Sequence, residues 1–232
     1  MDAVGDRDWI CDLAYAGAMI GVHLSRLGED LVLFSSTEFG FVRLSDGFST
    51  GSSLMPQKRN PDVAELARGK SGRLVGNLTT LLTLLKGLPT GYNRDLQEDK
   101  EALFDTVDTL LLTLPAVAGA AETARFRPER MGAVMDAQLL ATDLADYLVK
   151  KGVPFRESHE VVGRLVRRAE ERGVSLATLE VAAFREEHPA FGEDVPAVFD
   201  WIRSVDSRDS EGGTSKRAVA AQIEAARIRL EG

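Results

Sequence analysis

The stretch Gly51-Ser52-Ser53-Leu54-Met55-Pro56-Gln57-Lys58-Arg59-Asn60-Pro61-Asp62 separates two long helical patterns. Its composition is that of a loop. Gly47, Ser49 and Thr50 lead into it, and Pro56 and Pro61 punctuate it. Within it stand two cations (Lys58, Arg59), two amides (Gln57, Asn60) and a pair of serines. Such groups suit the binding of an anionic substrate. The residues just before it, 38–45, are a short apolar alternation that fits either a helical end or a brief extended piece.

From Pro61 to Leu88 the apolar residues recur at helical spacing. Val63, Leu66, Leu74, Leu78, Leu81, Leu82 and Leu85 form one wide stripe, which reads as packing surface for several neighbours. Proline suits the first helical position, and Asn60 is placed to cap it. Gly69, Gly72 and Gly76 suggest close helix approach. Upstream, residues 8–33 form a second helical pattern through Trp9, Leu13, Ala16, Ile20, Leu24, Leu27 and Leu31. Gly17 and Gly21, four apart, read as a tight packing face. Downstream, Leu88–Asp95 breaks the helix. A third pattern covers 96–124 with Leu103, Val107, Leu110, Leu111, Leu114, Val117 and Ala121 as its stripe and Pro115 as a kink.

Three long striped segments in succession predict an all-α protein built on a helical bundle. After Phe126-Arg127-Pro128 the helical segments shorten, with Gly152, Gly173 and Ser210–Thr214 as stops. The expected organisation is a bundle portion over 1–126 and a small all-α C-terminal domain over 127–232.

Bulk composition narrows the function classes. With 28 Lys+Arg against 36 Asp+Glu, the net charge is -8, which disfavours a nucleic-acid backbone as partner. Cys11 is the only cysteine, so no intramolecular disulfide or thiolate metal cluster is expected. His23, His159 and His188 lack metal-ligand spacing. No run of 18 apolar residues and no signal-peptide pattern stands out. The expectation is a cytoplasmic protein without membrane or nucleic-acid partners.

The loop has a definite chemical reading. A serine base needs its oxyanion stabilised by backbone N–H groups and a nearby ammonium. The Gly51-Ser52-Ser53 turn offers the first and Lys58 the second. Removal of a proton next to a carboxylate creates a dianionic intermediate, which calls for a fixed cation and a hydrogen-bond donor such as Lys58 and Asn60. On composition alone, a Ser/Gly surface loop before a capped helix accounts for the same residues.

The string itself goes further. It resembles the signature of the fumarase/aspartase superfamily, Gly-Ser-Ser-x-Met-Pro-x-Lys-x-Asn-Pro. Gln57 and Asp62 look like its argininosuccinate lyase branch. So does Thr90-Gly91-Tyr92-Asn93-Arg94-Asp95-Leu96-Gln97-Glu98-Asp99-Lys100, and so does Asp2–Asp8, where the family more often has Ser at the Gly5 position. The resemblance implies that Ser52 removes the Cβ proton of argininosuccinate, that Lys58 and Asn60 stabilise the resulting carbanion, and that arginine and fumarate are released. It implies that Tyr92, Gln97 and Lys100 bind substrate, that Arg7 stands at another contacting position, and that Glu65 orients a general-acid histidine. No metal or cofactor is implied.

The family chain is roughly twice as long, and its general-acid histidine lies in a segment with no counterpart here. The chain therefore looks like the C-terminal half. Family sites form where several subunits of a tetramer meet, so the expectation is a homotetramer or a complex with an N-terminal half, inactive alone. An adenylosuccinate lyase-like enzyme and a non-catalytic, crystallin-like assembly module are the alternatives.

Overall fold

The computed structural model describes residues 2–51, 53–55 and 57–231. The chain forms two compact units, Met1–Ala133 and Val134–Gly232.

The first unit is an up-down-up bundle of three long helices. A short helix α1 (Asp2–Gly5) precedes α2 (Asp8–Ser35), α3 (Asp62–Leu85) and α4 (Asp99–Thr123). At 1.5 Å per residue, the 24 residues of α3 span about 36 Å. Small residues let the helices approach. A Cβ at Gly17 would fall 2.7 Å from Thr106 Cγ2, and one at Gly21 would fall 2.7 Å from Leu74 Cδ1. Gly28 lies against the Ala64 backbone in the same way. Gly69, Gly72 and Gly76 do not act so. Each faces open space, because the contact face of α3 runs through Ala64, Ala67, Leu74 and Leu81 instead. Ile10, Ala14, Leu81, Ala102 and Leu103 close one end of the bundle; Leu31, Val42, Leu44 and Ala64 close the other.

The packed face of α4 differs from its most apolar stripe. Its buried residues include Thr106, Thr109, Thr113, Val117 and Ala120, while Leu111 is 68% and Leu112 64% exposed. Threonine can be buried there because its hydroxyl is satisfied within the helix. Thr106 donates to the Ala102 carbonyl at 2.8 Å and Thr113 to the Thr109 carbonyl at 2.6 Å. These short side chains allow the close contact with Gly17, and the bulky leucines turn outward. The helix runs without interruption through Pro115. By length and composition alone, Arg94–Thr123 is apolar enough to cross a membrane (mean hydropathy 1.4); in the fold it packs on α2 and α3.

Two short antiparallel ladders tie the far end together. β1 (Val42–Arg43) and β4 (Arg125–Phe126) pair Val42 with Phe126. β2 (Thr50–Gly51) and β3 (Arg59–Asn60) pair Thr50 with Asn60. The 38–45 alternation thus includes a piece of strand. A short helix α5 (Pro128–Ala133) ends the unit.

The second unit is built from α6 (Ala141–Lys150), α7 (Phe155–Arg172), α8 (Val181–Glu187), α9 (Trp201–Asp206) and α10 (Lys216–Glu231). Leu144, Leu148, Leu165, Leu176, Phe184, Phe191 and Val195 form its core. Gly173 ends α7 at φ 62°, a left-handed conformation that glycine adopts without penalty, and Val174 N–H closes the cap on the Ala169 carbonyl. Asp200 caps α9 by accepting from the Ile202 and Arg203 amides.

Candidate active site

The serine loop is a hairpin, and its base is held from three sides. The β2–β3 ladder closes it. Asp62, in the first turn of α3, accepts from the Thr50 amide at 3.1 Å and from the Thr50 hydroxyl. Arg59 pairs with Asp46. Behind it, the Phe48 ring lies on Gly119 of α4, where a Cβ would overlap it, and Ser45 Oγ meets Thr123 Oγ1 at 2.9 Å. The tip is a turn in which Lys58 N–H donates to the Met55 carbonyl at 3.0 Å.

Lys58 is exposed on this tip, and Asn60 is half-buried at the ladder. Asn60 does not cap α3. Pro61 takes that position with no side-chain cap, because the extended conformation of β3 commits Asn60 to strand pairing. Glu65 is exposed one turn into α3. Ser52 lies outside the described residues.

The other predicted substrate residues sit at the opposite end of the bundle. Tyr92 is exposed after Gly91 (φ 97°), and Gln97 is exposed on a single 3₁₀ stretch, Arg94–Glu98, anchored by buried Leu96. Lys100 opens α4. Arg7 comes from the turn between α1 and α2. Its guanidinium donates from Nε to Asp99 Oδ2 at 2.5 Å and from Nη1 to the Asp6 carbonyl at 2.8 Å. Lys100 Nζ reaches the other oxygen, Asp99 Oδ1, at 2.5 Å. The two segments touch through glycines: a Cβ at Gly5 would lie 3.0 Å from the Gly91 carbonyl oxygen. A cavity of about 420 Å³ opens between them, with Gly5, Asp6, Asp8, Pro89, Gly91 and Leu96 in its lining.

Two clusters therefore emerge within one chain. Lys58, Asn60 and Glu65 gather at the start of α3, and Arg7, Tyr92, Gln97 and Lys100 gather beyond its end. The length of α3, about 36 Å, separates them, more than a small substrate spans. Sequence reading missed Asp99, which joins two of the predicted residues. An Asp-Lys pair at a helix start gives no hint that the carboxylate is buried.

Two other reactive groups do not join either cluster. The Cys11 thiol is pushed up by burial and by the neighbouring Asp8 and Asp12 carboxylates, which opposes a thiolate nucleophile. His188 accepts from the Ala190 amide at Nδ1 and faces Glu157 at 3.4 Å. Among the described residues no group of three or more His, Cys, Asp or Glu is placed to hold a metal ion.

Comparison with known proteins places this arrangement. The fold matches EDDS lyase in complex with formate at a TM-score of 0.87 and 27% identity, over 99% of this chain and 48% of that one. Class II fumarase from Schistosoma mansoni matches in fold, with a TM-score of 0.66 at 20% identity, over 86% of this chain and 40% of that one. Residues 1–76 match the Lyase family model and residues 138–206 the model Argininosuccinate lyase C-terminal. The helical bundle is thus that of the fumarase/aspartase class of lyases. Argininosuccinate lyase of Roseiflexus sp. (strain RS-1) is 60% identical over 231 residues, covering 100% of this chain and 51% of that protein. That of Chlamydomonas reinhardtii is 52% identical over 230 residues, covering 99% and 49%. Over its whole length the chain is similar to argininosuccinate lyases, and it spans about half the length of the curated relatives it matches.

Proposed function

We propose that the chain contributes to an argininosuccinate lyase site that it does not complete alone. The observation that carries this reading is the separation of the two residue clusters along α3. One substrate cannot meet both ends of one bundle, so a site that uses both draws them from different copies.

In this reading the Ser52 oxygen takes the Cβ proton of argininosuccinate. The electron pair left on Cβ delocalises into the adjacent carboxylate, where Lys58 and Asn60 hold the developing charge. It then forms the Cα–Cβ double bond of fumarate as the Cα–N bond breaks. The departing guanidino nitrogen takes that bond's electrons and is protonated by a histidine from another segment, oriented by Glu65. Arginine leaves. Tyr92, Gln97 and Lys100 belong to the subsite that holds the substrate, and Arg7 stands in that subsite behind them.

The exposed apolar face of α4 supports association. Phe104, Leu111, Leu112 and Leu114 are all exposed in the single chain, apolar surface that favours burial against further helices. A homotetramer or a complex with the family's other half provides that burial. The test is fumarate release from argininosuccinate by the purified chain, alone and mixed with the half of the Roseiflexus relative that it does not match. The chain alone is expected to be inactive and the mixture active. Gln57 and the Tyr92–Lys100 string favour this substrate over adenylosuccinate.

A further inference from the structure

We infer that Asp99 is the positioning residue of the substrate subsite, gripping Arg7 with one carboxylate oxygen and Lys100 with the other. The inference rests on the lyase reading above. Asp99 is 0% exposed. A charged carboxylate so buried carries a large desolvation cost unless it is paired and hydrogen-bonded. Both oxygens are so engaged, at 2.5 Å each.

Asp99 opens α4, and an aspartate there is favourable to the helix dipole in any case. A residue serving only that purpose would stand in solvent or accept from the first-turn amides. Asp99 does neither, since it is buried and its two oxygens accept from Arg7 and Lys100. Lys100, by contrast, sits at the wrong end of a helix for a cation. Asp99 offsets that penalty and fixes where the ammonium stands.

The three charges sum to one net positive. The Arg7 side chain is 16% exposed and the Lys100 side chain 53%. The solvent-facing charge is therefore the ammonium of Lys100, available to a substrate carboxylate. Arg7 is spent on Asp99 and on the Asp6 carbonyl. It fixes the turn between α1 and α2 beside the cavity and acts through Asp99 rather than on the substrate.

The test is Asp99→Asn, with Asp99→Glu as the conservative variant, in the chain mixed with the unmatched half of the Roseiflexus relative. Loss of a positioned ammonium weakens ground state and transition state alike, so Asp99→Asn should raise KM for argininosuccinate about tenfold and leave kcat within about threefold. Asp99→Glu should recover part of the loss. A merely structural role would lower the active fraction and thermal stability with KM unchanged, and that result overturns the proposal. A second readout uses the chain by itself. The Arg7 Nε–H resonance should exchange slowly with solvent in the wild type and rapidly in Asp99→Asn; equal exchange in both overturns the grip. A wild-type mixture that makes no fumarate overturns the lyase reading and with it the role of Asp99 in catalysis, while the arginine resonance still reports whether the grip exists.

Discussion

Arg7 donates to Asp99 across 92 residues of sequence, joining the start of α2 to the start of α4. The Asp99 side chain is 1% exposed, so the pair is worth more broken than made. Arg7→Ala should destabilise the first unit by about 2–3 kcal/mol, at the low end for a severed buried pair because Lys100 still faces the carboxylate. Urea unfolding measures it. A loss under about 0.5 kcal/mol, the range of neutral surface changes, would show that Asp99 needs no partner there.

The serine loop depends on a glycine far away in sequence. Phe48 lies on Gly119, and a methyl group there would overlap the ring. Gly119→Ala should cost about 1–3 kcal/mol through overpacking and move the hairpin base. Phe48→Ala should relieve that overlap, so the double variant should be less destabilised than the sum of the single ones. Strict additivity in thermal or urea unfolding would mean that the two residues do not touch.

Acid should weaken the α3–α4 contact. Hydrogen bonds from Arg73 and then Asn77 hold the Asp105 carboxyl below the usual carboxylate range. A depressed folded pKa stabilises the fold above the unfolded value, about 3.9, and that contribution is lost as pH falls through the folded value. The gap in melting temperature between wild type and Asp105→Asn should therefore be open at neutral pH and close below about pH 4. A gap that stays constant with pH would remove the charge from the explanation.

The apolar face of α4 gives a prediction about association. Leu111 is 68% exposed and contributes little to the folded single chain. Leu111→Ser should leave its unfolding within about 0.5 kcal/mol of wild type. It should weaken self-association or pairing with the other half, as read by sedimentation. Unchanged sedimentation would place the partner surface elsewhere.

The helical periods and proline breaks made the three long helices legible, but not every packed side: on α2 the stripe residues Trp9, Leu13, Ile20 and Leu27 are exposed, and the smaller Ala14, Gly17, Ala18 and Gly21 pack instead. On α4 they marked the packed side in part: Leu103 and Val117 are buried and Leu110 meets Gly17, but Leu111 and Leu114 are exposed. Hydropathy ranks Leu111 and Leu114 above Thr106 and Thr113, whereas close packing against Gly17 needs short side chains with internally satisfied hydroxyls. Asn60 was misread as a cap for a related reason. Local propensity favours the cap, but the pairing partner Thr50 decides for strand. The serine loop was legible as a string. Its anchors, Phe48 on Gly119 and Asp62 on Thr50, were not, because sequence spacing does not report which end of a helix a loop returns to. Asp99 was hidden in the same way.

The most direct measurement is fumarate formation from argininosuccinate by three samples: the chain alone, the chain mixed with the unmatched half of the Roseiflexus relative, and the same mixture carrying Ser52→Ala. The account predicts no turnover from the first, turnover from the second, and a loss of about a hundredfold or more in the third, as befits a removed general base. Turnover by the chain alone, or full activity with Ser52→Ala, would contradict it.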